Sequence, residues 1–274
     1  MKKILLLIFI AIIIMGLFSF FKKEKKVEET KNILGMILLE EPNSMDINKV
    51  VSELREKWKL KVNDKDSNNE TSVLEINGYQ IAIANMDVAI PGDEIGTTAE
   101  YNYFWKNGKE EATKHKGHII LSIMNAGKNP VKENFLYNKI ASSILNNSKS
   151  IGIYIGGRSL LLKKDFYQSQ TKDMSDDGLP LYNWIYFGIR TENGKNSMYT
   201  YGLADFSKTE IEILDTEHSI EEINDMMLNL VNYILVSDVT LKDGETIGFT
   251  EQQKLKITIS NGKFVDGKTI KVEF

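Results

Sequence analysis

The 274-residue chain contains no cysteine. That excludes disulfides, thiol catalysis, zinc–thiolate centres and a lipidated N-terminal cysteine, and it leaves the redox compartment open. A basic patch is missing too. The formal charge is −4, and six lysines with one acid fall in the first 26 residues. Setting those aside takes the 34 basic and 38 acidic residues to a net of about −9. A fold this acidic, with no stripe of arginines among aromatics, repels phosphate backbones, so no nucleic-acid partner is expected. Catalytic fingerprints are also lacking. Ile155-Gly156-Gly157-Arg158 has no Lys-Ser/Thr end and is not a P-loop. Gly127-Lys128 lacks the upstream glycine, and no G-x-S-x-G, kinase set or dinucleotide fingerprint occurs. No cofactor and no metal is expected, and no fixed-period repeat is found. What is present is ordinary globular material, 42% hydrophobic and 26% charged, enough for a sizeable core.

The N-terminus departs from that composition. Two lysines precede an uncharged run, Ile4 to Phe21, and Lys22, Lys23, Lys25 and Lys26 follow it. As a helix this run spans roughly 27 Å, close to the ~30 Å hydrocarbon core of a bilayer. A cleaved leader has a shorter apolar core and small residues at its cleavage site. Here Phe20, Phe21 and lysines stand where those small residues would be. The expectation is an uncleaved transmembrane anchor with basic flanks (1–26), a tether (27–33) and a single globular domain (34–274). The membrane would be engaged through residues 4–21. The larger number of lysines after the run places the domain on the cytoplasmic side.

Three amphipathic helices are readable beyond the tether. Asp46 to Leu60 carries Ile47, Val50, Val51, Leu54 and Trp58 on one stripe. Asn129-Pro130 reads as an N-cap with proline at the first helical position, ahead of Phe135, Leu136, Ile140, Ile144 and Leu145. Ser219 and Glu222 form a capping box before Ile223, Met226, Met227, Leu230, Val231 and Ile234. Strands are expected at Leu34–Leu39, Ser72–Ile76, Tyr79–Ile90, His118–Met124, Ile151–Ile155, Tyr182–Arg190, Met198–Asp205, Ile211–Leu214, Lys254–Ser260 and Thr269–Phe274. Asn77-Gly78 and Asn193-Gly194 mark hairpins, and hairpins mean antiparallel pairing. The class is therefore α+β: a mainly antiparallel sheet, or two related sheets, with the three helices on one face. Asn63–Asn69 and Lys172–Gly178 read as surface loops by composition.

Seven stretches carry a resemblance. ILLEEPNSMDINKVVSEL (37–54), IANMDVAIPGDE (83–94), HKGHIILSI (115–123) and IGIYIGG (151–157) are four. LPLYNWIYFGI (179–189), YTYGLADFSKTEIEILD (199–215) and DVTLKDGETIGFTEQQKLKIT (238–258) are the others. In this order they resemble the bacterial domain-of-unknown-function family 4261, over about Leu34 to Phe274. The resemblance implies a shared fold and brings no activity, ligand or catalytic residue with it. Typical members of that family look soluble and cytoplasmic, so the N-terminal anchor is a departure from it.

Chemistry has few candidates. His115 and His118 stand three apart around a glycine where a strand begins, which sends them to opposite faces. Glu40 and Glu41 end the first strand, and one of them could meet the amides of the following helix. With Asp205, these residues are the candidates for a hydrolase-like His/carboxylate site. Strand alternation sends Tyr182, Trp184 and Tyr186 to one side, as core packing or as a partner surface, and Trp105 with Tyr101, Tyr103 and Phe104 could add to that surface. The leading functional expectation is a membrane-tethered protein-binding or accessory module without catalysis, an immunity-like role being one form. The alternative is an enzyme built on the His/carboxylate set.

Overall fold

A computed structural model describes residues 31–248, 250 and 253–274. The expected anchor and all but the end of the tether lie outside these residues. Among the described residues, no helix is long and apolar enough to cross a membrane.

Lys31 to Phe274 builds two sheets. The first takes β1 (Lys31–Leu39), β2 (Val62–Ser67), β3 (Thr71–Ile76), β4 (Tyr79–Met86), β5 (Gly117–Ala126), β6 (Ser150–Ile155) and β7 (Leu160–Lys163). Their order is β2-β3-β4-β5-β1-β6-β7, antiparallel throughout. The second takes β8 (Tyr186–Glu192), β9 (Lys195–Tyr201), β10 (Ile211–Thr216), β11 (Thr246–Ile247), β12 (Leu255–Asn261) and β13 (Lys268–Val272), ordered β11-β12-β13-β10-β9-β8. Its pairs are antiparallel except β10 with β13. The class is α+β, dominated by antiparallel pairing.

Local signals explain most elements. Asn77 (φ 54°) with Gly78 (φ 82°) and Asn193 (φ 52°) with Gly194 (φ 76°) take the positive φ that a type I′ turn requires at both positions. Helix α1 (Ile47–Glu56) starts at Asp46, whose side chain accepts from the Lys49 amide. Two short helices follow β4: α2 (Glu94–Tyr101) and α3 (Gly108–Ala112). Helix α4 (Pro130–Asn146) is capped by Asn129, which accepts from the Lys132 amide. Helices α5 (Lys164–Lys172) and α6 (Leu181–Trp184) precede the second sheet. Helix α7 (Ile220–Val236) opens with the complete Ser219/Glu222 capping box.

Alternation along β1 sorts the core. Ile33, Ile37 and Leu39 point into a cluster with α1, α4 and Tyr167 of α5, while Leu38 joins Ile95 and Trp105 on the other face. The first sheet is thus covered on both faces. A further cluster lies between the second sheet and α7, where Ile211, Ile213 and Ile257 meet Met227, Leu230 and Val231.

Several expectations need correcting. Residues 31–33 belong to β1 rather than to a tether. Asn63–Asn69 is mostly the edge strand β2, whose charge suits an edge and hides the period-two signal. β4 stops at Met86, short of Ile90. Tyr182–Arg190 is not one strand, because Leu181–Trp184 forms the helical turn α6 after Pro180. Asp205 is not in a strand either: β9 ends at Tyr201 and Leu203–Phe206 is a 3-10 turn. The helical layer also has more members than the three read from the sequence.

Candidate functional site

β6 leaves the first sheet through Gly156 and Gly157 into a 3-10 turn, and the chain reverses at Ser159 (φ 52°) to enter β7. A Cβ at Gly156 would lie 2.6 Å from the Tyr154 hydroxyl, so any larger residue there would have to displace the Tyr154 ring. The turn carries Arg158 inward, to 2% exposure. Its Nε donates to Asp205 Oδ2 at 2.7 Å and its Nη1 to Asn134 Oδ1 at 2.7 Å. Nη1 also reaches the Trp184 carbonyl at 3.4 Å, and the guanidinium lies 5.3 Å from the Phe206 ring centroid. Among the described residues, nothing accepts from Nη2.

The partners of Arg158 are held from behind. Asn134 Nδ2 donates to the Pro130 carbonyl on the first turn of α4, which turns its Oδ1 to the arginine. The loop just before α4 is gathered by Glu133, which accepts the amides of Gly127, Lys128 and Asn129. Buried Glu210 does the same for the 3-10 turn, accepting from the amides of Gly202 and Ala204 and from the Thr200 hydroxyl. That fixes the turn carrying Asp205. Gly202 (φ 121°) passes close to Arg158: a Cβ there would lie 3.5 Å from Arg158 Cγ.

Arg158 and Asp205 line a cleft of about 500 Å³, with Leu34 and Met36 of β1, Glu94 of α2 and Gly157 among its walls. Exposed tyrosines stand close by. Asn102, between Tyr101 and Tyr103, donates to the Ser159 carbonyl beside Arg158. Tyr201 immediately precedes Gly202. Tyr101, Tyr103 and Tyr201 are 52%, 44% and 40% exposed.

The residues singled out from sequence are distributed otherwise. His115 Nδ1 donates to the Ala112 carbonyl (2.7 Å), and its Nε2 accepts from the Ile90 amide (2.8 Å). His118 Nδ1 lies 2.8 Å from the Val88 carbonyl. Both histidines therefore meet the same 88–90 segment. The expectation of opposite faces fails because His115 precedes β5 and strand alternation does not apply to it. Burial holds both imidazoles below their ordinary value. Glu41 pairs with Lys149 at 2.7 Å on the surface. Glu40 lines a second cavity of about 370 Å³ with Trp105 and Lys163. Ile33 of the Arg158 cleft and Leu39, the residue before Glu40, are six positions apart along β1, roughly 20 Å, so Asp205 and the glutamates serve different places.

The aromatic set is mostly interior. Trp105 is buried and donates to Glu111 Oε2, and Trp184 is buried and donates to Asn138 Oδ1. Tyr182 is half-buried, bonds Asn224 and meets the rings of Phe104 and Phe187. Tyr186 is buried, with its hydroxyl on the Tyr101 carbonyl. Sequence reasoning passed over Arg158, Asn134 and Tyr201. The available signal was that Arg158 is one of only three arginines among 34 basic residues and sits between two apolar runs. A lysine cannot offer the planar fork that Asp205 and Asn134 occupy.

These features define an α+β protein of two sheets with a cleft built on a buried arginine. A match to the family described as "Domain of unknown function (DUF4261)" covers residues 199–273, from β9 to β13, and supports the resemblance over that span. The stretches from Ile37 to Ile189 lie outside the match. No curated protein and no solved structure matches the chain.

Proposed function

We propose that the chain is a membrane-tethered accessory module that binds another protein and performs no chemistry of its own. One observation carries the reading: three exposed tyrosines, Tyr101, Tyr103 and Tyr201, on segments whose neighbouring residues Asn102 and Gly202 border the turn that carries the buried arginine of a cleft. Tyrosines dominate many protein interfaces because they contribute a large area at small conformational cost. The anchor is the uncharged run Ile4–Phe21, and the domain stands on the cytoplasmic side. Capping a partner, as an immunity protein does, is one form of this role.

The test places a photo-crosslinking residue at position 34, where Leu34 is exposed on the cleft wall. Irradiation of native membranes is expected to yield one discrete protein adduct. Tyr101→Ala combined with Tyr201→Ala should remove it. The reading is overturned if no adduct forms from position 34, and turnover of a small metabolite by the purified chain would point to an enzyme instead.

A further inference from the structure

We infer that the Arg158 cleft receives the C-terminal carboxylate of the partner polypeptide. The inference rests on the protein-binding reading above and adds what the cleft recognises. Arg158 is almost wholly removed from water, and two of its three nitrogens have protein partners. Among the described residues, Nη2 has none, and Arg158 lines the cleft. A desolvated charged donor gains most from an ionised acceptor, which makes the shorter and stronger bond.

The other lining groups narrow the choice. Asp205 and Glu94 also line the cleft. A phosphate dianion would meet two like charges there, whereas a single carboxylate carries half that penalty. Asp205 Oδ1 and Glu94 Oε1 accept no hydrogen bond among the described residues. The charged side chains of the cleft therefore comprise one donor, Arg158, beside two acceptors, Asp205 and Glu94. The last residue of a polypeptide matches that pattern within itself, since it bears a carboxylate and a backbone N–H. An aspartate or glutamate side chain has no donor so close to its carboxylate. Leu34 and Met36 supply apolar wall for the terminal side chain. Asp205 already occupies one edge of the guanidinium, and its side chain is 54% exposed. It is a resident competitor whose hold on Arg158 is screened by water.

Equilibrium dialysis tests this with the full-length chain in detergent. The probes are two pools of N-acetylated random tetrapeptides, one with free C-termini and one amidated, with the retained peptides counted by mass spectrometry. The free-carboxylate pool is expected to be retained about tenfold more than the amidated pool. Arg158→Gln should abolish the preference. Asp205→Asn should strengthen retention of the free pool, because it removes the competing charge without opening the buried core. Equal retention of the two pools overturns the inference, as does an Asp205→Asn chain that retains no more than the native one. In a third arm, amidated peptides carrying one internal aspartate should stay at the level of the amidated pool; retention equal to the free pool overturns the choice of a terminus. If the preference is absent while the position-34 adduct still forms, only the carboxylate inference fails. Loss of both removes the protein-binding reading as well.

Discussion

Arg158 shows how unequally the partners of one side chain contribute. Asn134 is buried, so Asn134→Ala leaves a desolvated N–H without an acceptor and should cost about 2–3 kcal/mol in urea unfolding. Asp205 is more than half exposed, so Asp205→Asn should stay within about 1 kcal/mol of native. Similar losses in the two variants would contradict this account of the cleft. The histidines give a second prediction at this scale. His115 is neutral in the fold, donating at Nδ1 and accepting at Nε2, and protonation would break the bond from the Ile90 amide. Burial sets the folded values of His115 and His118 below the ordinary value of 6.5. As pH falls through 6.5 the unfolded chain binds protons first, so their contribution is full above that pH and declines below it. The melting temperature should fall between pH 7 and pH 5, and His115→Gln should flatten that decline. Glu212 acts in a lower window. Burial pushes its carboxyl up, but Lys271 and the amides of Phe264 and Lys263 outweigh burial and lower it. Its contribution is therefore lost only below about pH 4.5. Neither the buried arginine nor the locked histidines could be read directly from sequence. Each depends on where a neighbouring turn directs a side chain, and only the scarcity of arginine hinted at the first.

At the scale of elements, cap chemistry was the most legible feature. Asn129 and Ser219 each accept from the amide three positions on, as their types and spacings predict, and Asp46, which the sequence reading places inside the helix, caps α1 in the same way. Ser219→Ala should cost α7 about 1 kcal/mol, read as a lowered urea midpoint with unchanged slope. Ser219→Asp should recover most of that loss, because aspartate caps as well and its charge suits a helix N-terminus. The two Asn-Gly turns were equally legible, since few other pairs tolerate positive φ twice. Elements without an internal period were not. α6 has four residues, too few to show one, and its aromatic composition imitates a strand. β2 is a polar edge strand that gains its place from pairing with β3 rather than from a buried face of its own. α4 was found as a helix but misjudged as amphipathic. Its asparagines and serines are buried along with its apolar residues, so its polar face is no solvent face.

That misjudged helix links the two halves of the molecule. Leu136, Tyr137 and Ile140 of α4 face the core of the first sheet, while Val131 and Phe135 touch the core of the second. Between them, Asn138 Oδ1 accepts from Tyr167 in the first core and from Trp184 in the second, and its Nδ2 donates to Thr171. One amide thus spans two hydrophobic clusters that the sequence presents as separate runs. If α4 joins them energetically, the sheets cannot melt independently, because opening either one exposes the buried flank of the shared helix. Asn138→Leu removes the acceptor for two buried donors at once and should cost about 3 kcal/mol or more. Trp184 fluorescence in a Trp58→Phe, Trp105→Phe background reports the second core, and far-UV circular dichroism reports the whole. The two signals should give one coincident transition in the native chain. In the Asn138→Leu chain they should move together to lower urea. Separated midpoints in the native chain would mean that α4 is shared in space but not in stability, and the Arg158 cleft, held between α4 and the 3-10 turn before β10, would then be a joint that opens before either sheet unfolds.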